Sequence, residues 1–385
     1  MQRPLLVSFA LVGLTTLGQL AAQGPTVRYF DPTFTPVVTA SDVVYGSNIN
    51  PWTNTLDTLK LDVYEPQGDT EAARPVYIHI HGGQYFYGTK TNGEAVLMCQ
   101  TFASLGYVAF SIDYRLAPTY QHNNLGPDTC AEDAKAAVRF VRKNALTYRV
   151  DSSRILCGGD SVGGTSGFIV GFTSWPGNSG NPGYNHVPNA CISMWSNNFA
   201  PLTNTSVSIL VLHGTADTVL PFSVAQNITA SATWAGVRNR LIPVVGGDHS
   251  CWDKWDNFKR DMWGTAYEFL RLWERSGLTI NPDFATALRL DFCSTGWEGI
   301  VDVVWASPNQ GLLPFPPYGI LRLDPTLILT LGTAVHAPNN LTDKQILSFP
   351  IPPGVKGTLY AQHFGISTTT WWLTGFSNLL TIAFP

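Results

Sequence analysis

One serine in this chain has neighbours that would make it a nucleophile. Ser161 follows the apolar residues 155–157 and lies within the run Gly158-Gly159-Asp160-Ser161-Val162-Gly163-Gly164. Only glycine leaves room where a strand turns sharply into a helix, and such a turn lifts a serine hydroxyl above the sheet. A chain with 35 glycines can produce this pattern by chance, so other residues must supply the rest of the chemistry.

A histidine is the first group that the serine needs. It must take the hydroxyl proton before the oxygen attacks a carbonyl group, and neutral imidazole has a suitable pKa. Among eight histidines, His249 has the best position, because it follows a predicted strand and the pair Gly246-Gly247. His81 and His213 are the serious competitors. We predict His249 as the base.

A carboxylate must then hold the tautomer of the base and stabilise its charged form. Asp217 lies in the loop after the predicted strand 208–212, whereas Asp248 and Asp253 are rivals close to His249 in sequence. Adjacent side chains point apart, so Asp248 would reach Nδ1 of His249 only in an unusual loop. The predicted acid is Asp217.

Two consecutive glycines follow another apolar strand, in His81-Gly82-Gly83-Gln84. Backbone N–H groups can approach a developing oxyanion there, and the N–H of Val162 would converge from the serine side. We predict Gly82, Gly83 and Val162 as the oxyanion donors. Residues beside the catalytic loops are candidates for the substrate pocket, with core packing as the alternative for each aromatic one: Gln84, Tyr85, Phe86, Trp195, Phe222 and Trp252.

The elements that must position these residues alternate between strand and helix over residues 43–275. Strands are predicted at 59–64 (antiparallel, with one wet face), 75–80, 107–114, 154–157, 191–195, 208–212 and 241–245. Helices are predicted at 93–105, 128–144, 162–172 and 251–275. This alternation indicates an α/β fold in which helices cover both faces of a mainly parallel sheet. Each catalytic residue then follows the carboxyl end of a strand.

Both ends of the chain differ from this central part. Arg3, the apolar run 5–20 and Ala21-Ala22-Gln23 resemble an export signal cleaved near Ala22, and the run is short for a membrane anchor. After Ser276-Gly277, short apolar runs separated by Pro, Gly and Asn indicate a small all-β sandwich. We predict a signal peptide at 1–22, a catalytic domain at 23–280 and an accessory domain at 281–385, which is a candidate for polysaccharide or cell-surface contact.

Composition narrows the classes of partner. The net charge is −4 and no basic block occurs, so a nucleic-acid partner is not expected. No later stretch is long and apolar enough for a membrane span. Six cysteines in an exported chain make disulfide bonds possible, although Cys157 fits a free core thiol equally well. No spacing resembles a zinc site, and we expect neither a metal nor a cofactor.

Residues 40–275 resemble the α/β-hydrolase family, especially its hormone-sensitive-lipase-like and secreted carboxylesterase branches. The motifs that carry the resemblance are His81-Gly82-Gly83-Gln84, Asp113-Tyr114-Arg115-Leu116-Ala117-Pro118, Gly159-Asp160-Ser161-Val162-Gly163-Gly164, His213-Gly214-Thr215-Ala216-Asp217 and Asp248-His249. The resemblance implies Ser161 as nucleophile, His249 as base and Asp217 as acid. It also implies hydrolysis of carboxylic esters through an acyl-enzyme.

Two departures from the family pattern leave the identity of the ester substrate undecided. Gln84 stands where lipase-like members often have a third glycine, and Val162 stands where alanine is usual. The Asp217 loop looks more like that of secreted esterases that remove acetyl or feruloyl groups from polysaccharides. The expected substrates are therefore small or polymer-linked esters with short-chain, aromatic or polysaccharide-linked acyl groups, polyesters included.

An inactive hydrolase scaffold that binds carbohydrate or cell envelope is the alternative function. Such scaffolds commonly lose the serine or the histidine, and this chain keeps both together with the acid and the glycine loop. The sequence therefore favours a secreted serine carboxylesterase, extracellular or periplasmic.

Overall fold

The computed structural model describes residues 28–272, with Glu268 as backbone only, and beyond them the backbone of ten separate strands between residues 279 and 384. The predicted signal peptide at 1–22 lies outside the described residues. Five helices accompany eight strands in the first part, and this part contains every residue that the sequence predicts for the site.

A single eight-stranded sheet organises this part. Its strands are β1 (Pro36–Ile49), β2 (Leu56–Pro66), β3 (Arg74–Ile80), β4 (Val108–Ile112), β5 (Val150–Asp160), β6 (Ala190–Met194), β7 (Ser208–Gly214) and β8 (Asn239–Val244). Their order across the sheet is β1-β2-β4-β3-β5-β6-β7-β8. The pairs β1–β2 and β2–β4 are antiparallel and the remaining five pairs are parallel. The predicted mainly parallel sheet is confirmed.

The helices are α1 (Gly93–Ser104), α2 (Gly126–Lys143), α3 (Val162–Phe172), α4 (Phe222–Trp234) and α5 (Trp255–Phe269), with 3₁₀ turns at Tyr120–Leu125 and Cys251–Lys254. The helix predicted at 251–275 therefore begins as a 3₁₀ turn and is shorter. The sequence did not predict α4, because only Ala225, Ile228 and Ala232 of this helix are buried and its apolar stripe is weak. Of the described helices, none has the length and apolar character needed to cross a bilayer.

Helices cover both faces of the sheet. Along β7, Ile209 and Val211 belong to a buried cluster that includes side chains of α2, α3 and α4. Leu210 and Leu212 belong to a second cluster that includes side chains of α1 and α5. Because both faces are buried, the parallel strands have continuous apolar sequences. All seven residues of β7 are buried.

The structure differs from the sequence predictions at one strand and at the cysteines. The strand at 59–64 has no fully wet face, because Asp62 is buried and pairs with Nζ of Lys90 at 3.0 Å. The expected disulfides are not found among the cysteines of residues 28–272, which are all buried free thiols: Cys99, Cys130, Cys157, Cys191 and Cys251. Cys157 is the core thiol that its apolar strand indicated. The side chain of Cys293 lies outside the described residues.

The described backbone after residue 278 consists of antiparallel strands. They are β9 (Thr279–Asn281), β10 (Ala287–Thr295), β11 (Ile300–Ser307), β12 (Gln310–Phe315), β13 (Gly319–Leu323), β14 (Leu329–Val335), β15 (Thr342–Pro350), β16 (Gly357–Ser367), β17 (Leu373–Phe376) and β18 (Leu380–Phe384). The sandwich and the boundary at residue 280 stay predictions.

Candidate active site

Ser161 occupies the turn between β5 and α3, as its sequence pattern predicts. The backbone of Ser161 has a positive φ of 50° with ψ −120°, and its N–H donates to the carbonyl of Met194 at 2.8 Å. A non-glycine residue rarely adopts this conformation, and such strain is concentrated at functional sites. The turn therefore holds the serine between the end of β5 and the start of α3.

Glycine stands two residues before and two residues after Ser161, and a single carbonyl oxygen explains why both positions need it. A Cβ atom on Gly159 would lie 1.8 Å from the carbonyl oxygen of Ile80, and one on Gly163 would lie 1.9 Å from the same atom. Ile80 is the last residue of β3, so β5 and α3 both approach the end of that strand. Any side chain at either position would push β3 away from the turn.

His249 lies between Ser161 and Asp217. Its Nε2 is 3.3 Å from Oγ of Ser161, and its Nδ1 is 2.9 Å from Oδ2 of Asp217. The carboxylate side chain of Asp217 is fully buried, whereas the imidazole is partly exposed to the cleft. Because a carboxylate accepts the hydrogen of Nδ1, Nε2 is left to accept the hydrogen of the serine hydroxyl. This geometry suits proton transfer from serine.

The two rival aspartates have other partners. Oδ1 of Asp248 accepts hydrogen bonds from the N–H and hydroxyl of Thr218 and from the backbone N–H of His249. These hydrogen bonds, led by the one from the Thr218 backbone, lower the pKa of the Asp248 carboxyl group. Asp253 pairs with Lys254. Asp248 thus ties together the loops after β7 and β8 without contacting the imidazole ring.

The glycine loop after β3 lies beside the serine. A Cβ atom on Gly82 would meet Oδ2 of Asp160 at 2.4 Å, and one on Gly83, whose φ is +113°, would meet the carbonyl of Tyr87 at 2.0 Å. Within residues 28–272, neither glycine N–H donates a hydrogen bond. Gly82, Gly83 and Val162 all line the same cleft as Ser161. Their role as oxyanion donors stays a prediction.

His81 supports the glycine loop from inside the protein. Its ring is buried, stacks on Tyr114 at 4.3 Å between centroids, and places Nδ1 2.6 Å from the carbonyl oxygen of Gly82. Burial lowers the pKa of His81 to about 4. His81 is therefore neutral near pH 7 and is too enclosed to serve as the base.

An open cleft of about 420 Å³ leads to Ser161 and His249. Of the predicted substrate-binding residues, Gln84, Tyr85 and Trp252 line it, whereas Phe86, Trp195 and Phe222 do not. Trp195 is a core residue: it is fully buried and packs edge-to-face on Trp252 with 4.9 Å between ring centroids. Phe222 packs instead against the ring of His213 at 6.2 Å.

Other cleft residues were absent from the sequence prediction. Three of the exposed apolar ones are Tyr120, Phe199 and Val219, and two polar ones are Asn123 and Asn197. They follow β4, β6 and β7, so their position after the carboxyl ends of parallel strands was the signal that could have identified them. No group of three or more His, Cys, Asp or Glu residues in the described part of the chain could hold a metal ion.

Parts of the chain are similar to known proteins. The BD-FAE family model matches residues 61–186. The esterase LipI of Mycobacterium tuberculosis is 31% identical over 108 residues, which are 28% of this chain and 32% of that protein. The ethyl acetate hydrolase of Pseudomonas putida is 30% identical over 115 residues, 29% of this chain and 34% of that protein. This chain thus matches about a third of the length of these relatives.

Solved structures extend the comparison to the fold. A thermophilic esterase from the Planctomycetes species Thermogutta terrifontis has a TM-score of 0.51 and 23% identity, covering 59% of this chain and 91% of the esterase. The propionate-bound form of the same esterase has a TM-score of 0.51 and 25% identity, covering 60% of this chain and 94% of the esterase. The resemblance to α/β-hydrolase serine esterases is confirmed.

The α/β-hydrolase fold explains where each part of the site lies. The family match at 61–186 includes the glycine loop and Ser161 but ends before Asp217 and His249. These two residues meet the serine through the order of β5, β6, β7 and β8 in the sheet. Each lies in a loop that leaves the carboxyl end of its strand, where open α/β sheets place their ligands.

Proposed function

We propose that this chain is a serine carboxylesterase that hydrolyses carboxylic esters through an acyl-enzyme. One observation carries the proposal: Asp217, His249 and Ser161 are joined at 2.9 and 3.3 Å where the cleft opens. The names of the relatives from M. tuberculosis and P. putida, an esterase and an ethyl acetate hydrolase, support the same reaction.

The proposed reaction has two halves. Oγ of Ser161 attacks the ester carbonyl carbon while Nε2 of His249 takes the hydroxyl proton, and Asp217 stabilises the resulting imidazolium ion. The N–H groups of Gly82, Gly83 and Val162 stabilise the oxyanion, each worth about 2.7–4 kcal/mol in comparable sites. His249 then protonates the departing alcohol. Water, activated by the same histidine, attacks the acyl-enzyme and releases the acid.

The cleft supports small or chain-end esters as substrates. Its volume of about 420 Å³ is at the lower end of the range for small-molecule sites, roughly 300–1,000 Å³. Tyr87, Tyr120 and Phe199 line it and are each more than half exposed, so the cleft opens to solvent. We propose short-chain or aromatic acyl groups, on free or polymer-linked alcohols. Relative rates on acetyl, butyryl, feruloyl and polyester substrates would rank these classes.

We also propose that the protein is exported. Arg3, the apolar run 5–20 and the small residues Ala21-Ala22 support a cleaved signal peptide. Free buried thiols such as Cys157 are compatible with export, because burial raises the pKa of this thiol to about 12 and keeps it unreactive. N-terminal sequencing of the protein from culture medium or periplasm would locate the cleavage.

Covalent labelling by a fluorophosphonate tests the catalytic proposal. The reagent should label the wild type and spare Ser161→Ala, because only an activated serine attacks its phosphorus atom. Ser206→Ala is the matched control: Ser206 is exposed and lies outside the cleft, so this variant should be labelled like the wild type. An unlabelled wild type would favour an inactive binding scaffold, and equal labelling of Ser161→Ala would show that Ser161 is not the nucleophile.

A further inference from the structure

Asp217 faces a second histidine that the proposed mechanism does not use. Its Oδ1 accepts hydrogen bonds from the N–H groups of Val219 and Leu220, both at 2.8 Å. Its Oδ2 lies 2.9 Å from Nδ1 of His249 and 3.1 Å from Nε2 of His213. The same carboxylate oxygen is therefore shared between the imidazole that faces Ser161 and one that does not.

His213 is built into the core behind the site. It is the sixth residue of β7, has no exposed surface, and packs against Phe222 at 6.2 Å between ring centroids. Its Nε2 lies 2.8 Å from the carbonyl oxygen of Leu220. A carbonyl oxygen can only accept, so Nε2 carries the hydrogen. Nδ1 is buried and has no hydrogen-bond partner among the described residues. A second proton on Nδ1 would be an unsatisfied buried donor.

These contacts close a short loop around the acid. Leu220 donates its N–H to Asp217, and its carbonyl oxygen accepts from His213. Leu220 also lines the cleft. His213 thus holds Leu220 with its N–H group, and Leu220 in turn holds the carboxylate of Asp217 and one wall of the cleft. Both would move if that N–H group were lost.

We propose that His213 is a positioning residue for the catalytic acid. Its Nε2–H holds the carbonyl oxygen of Leu220, and Nε2 lies 3.1 Å from Oδ2 of Asp217. The ring thereby keeps the Asp217–Leu220 loop closed and the carboxylate directed at His249, without touching the substrate. The inference rests on the proposed serine esterase function. A positioning role can be told apart from ordinary core packing. Replacing a histidine that only packs in the core would change the stability of the protein and leave the turnover of the folded enzyme unchanged.

Two replacements separate the hydrogen bond from the packing. His213→Gln places an amide nitrogen as many bonds from the backbone as Nε2, whereas His213→Leu has similar bulk and no donor. On a p-nitrophenyl ester we expect kcat to fall about tenfold to a hundredfold in His213→Leu, the usual size of effect when a buried acceptor loses its donor. We expect KM to stay within about threefold, because the substrate keeps its own contacts. His213→Gln should recover most of kcat.

A double-mutant cycle supplies the second measurement. If His213 acts through Asp217, replacing it in an Asp217→Asn background should lower kcat by less than about threefold further. Equal losses in both backgrounds would overturn the inference, as would wild-type kcat in His213→Leu. Wild-type labelling at Ser161 is established first, so a failure of the esterase proposal is recognised separately.

The design remains decisive if His213→Leu does not fold. His213→Asn carries its amide nitrogen only as far as Nδ1, so it cannot reach the carbonyl oxygen of Leu220 in the way that His213→Gln does. Circular dichroism and thermal unfolding would establish that both variants fold. The glutamine variant should then exceed the asparagine variant in kcat by about tenfold, and equal values would overturn the inference.

Discussion

At the scale of single residues, the Asp217 carboxylate is the most heavily engaged group of the site. It accepts from two loop N–H groups and faces two imidazoles, so its position is determined from four directions. Asp248, adjacent to His249 in sequence, uses its carboxylate on Thr218 and on the His249 backbone. The two aspartates therefore have different partners: Asp217 faces the His249 ring, and Asp248 joins the loops after β7 and β8.

We predict that Asp217→Asn lowers kcat on a p-nitrophenyl ester by about 10⁴-fold, because the amide can present a donor to Nδ1 and favours the wrong tautomer. Steady-state kinetics would measure the loss, and circular dichroism would check the fold. Asp248→Asn is the matched control and should lose less than about tenfold, since the hydrogen bonds of this carboxylate within residues 28–272 come from Thr218 and the His249 backbone. Reversed effects would transfer the acid role to Asp248.

At the scale of elements, the junction of β5 and α3 depends on how closely β3 approaches it. The carbonyl oxygen of Ile80 occupies the space where Cβ atoms of Gly159 and Gly163 would lie. The serine turn is therefore a contact of three elements, and its strain at Ser161 is maintained by the packing of all three.

We predict that Gly163→Ala lowers the free energy of unfolding by about 1–3 kcal/mol or more, because overpacking usually has an effect of this size. Gly93 begins α1 and a Cβ atom there would meet nothing within 4 Å. Gly93→Ala should therefore be neutral or stabilising by about 0.4–1 kcal/mol. Urea unfolding of both variants would measure the difference. Equal stabilities would show that the turn tolerates a side chain.

The loop after β3 makes the stability of the protein depend on pH. Burial lowers the pKa of His81 from 6.5 to about 4. Between these values the unfolded chain binds a proton that the folded protein excludes, so this contribution to stability is present above pH 6.5 and is lost as the pH falls toward 4. At pH 5 the loss amounts to about 2 kcal/mol.

We therefore predict that His81→Asn weakens the pH dependence of stability. The difference in free energy of unfolding between pH 7 and pH 5 should be smaller than in the wild type by about 2 kcal/mol. His122 is exposed and serves as the control, because His122→Asn should keep the wild-type difference. Urea unfolding at the two pH values would test this, and an unchanged difference in His81→Asn would contradict it.

At the scale of the whole molecule, residues 28–272 contain the eight-stranded sheet and every residue that we place in the site. The eight strands, the glycine loop and all three proposed catalytic residues belong to this part. Near its end, Arg154 of β5 donates to the carbonyl oxygens of Leu270 and Arg271. The end of the last helical segment is thereby attached to the sheet.

We predict that a chain ending at residue 280 remains soluble and hydrolyses p-nitrophenyl butyrate with kcat/KM within about threefold of the full chain, because a domain with its own core folds alone. Gel filtration and steady-state kinetics of both chains would test this. Aggregation of the shorter chain would show that residues 281–385 complete the hydrolase core, contrary to the predicted accessory domain.

Local sequence patterns were sufficient to predict many of the helices and strands. The predicted helix at 162–172 has the observed bounds, and the predicted strands at 75–80, 191–195 and 208–212 agree with β3, β6 and β7 to within two residues. Runs of apolar residues and glycine breaks reflect requirements that act over a few neighbouring positions. Helix α4 was missed because its own pattern is weak and its position depends on packing.

The sequence by itself determined the serine turn, the glycine loop and the candidate histidine and aspartate, because steric limits on backbone and residue chemistry are local properties. Only the tertiary structure decided that Asp217 meets His249 across 32 residues and that His249 meets Ser161 across 88. It also decided that Trp195 is buried in the core while Tyr120 and Phe199 line the cleft. Such contacts depend on the order of the strands, and no short segment of sequence contains that order.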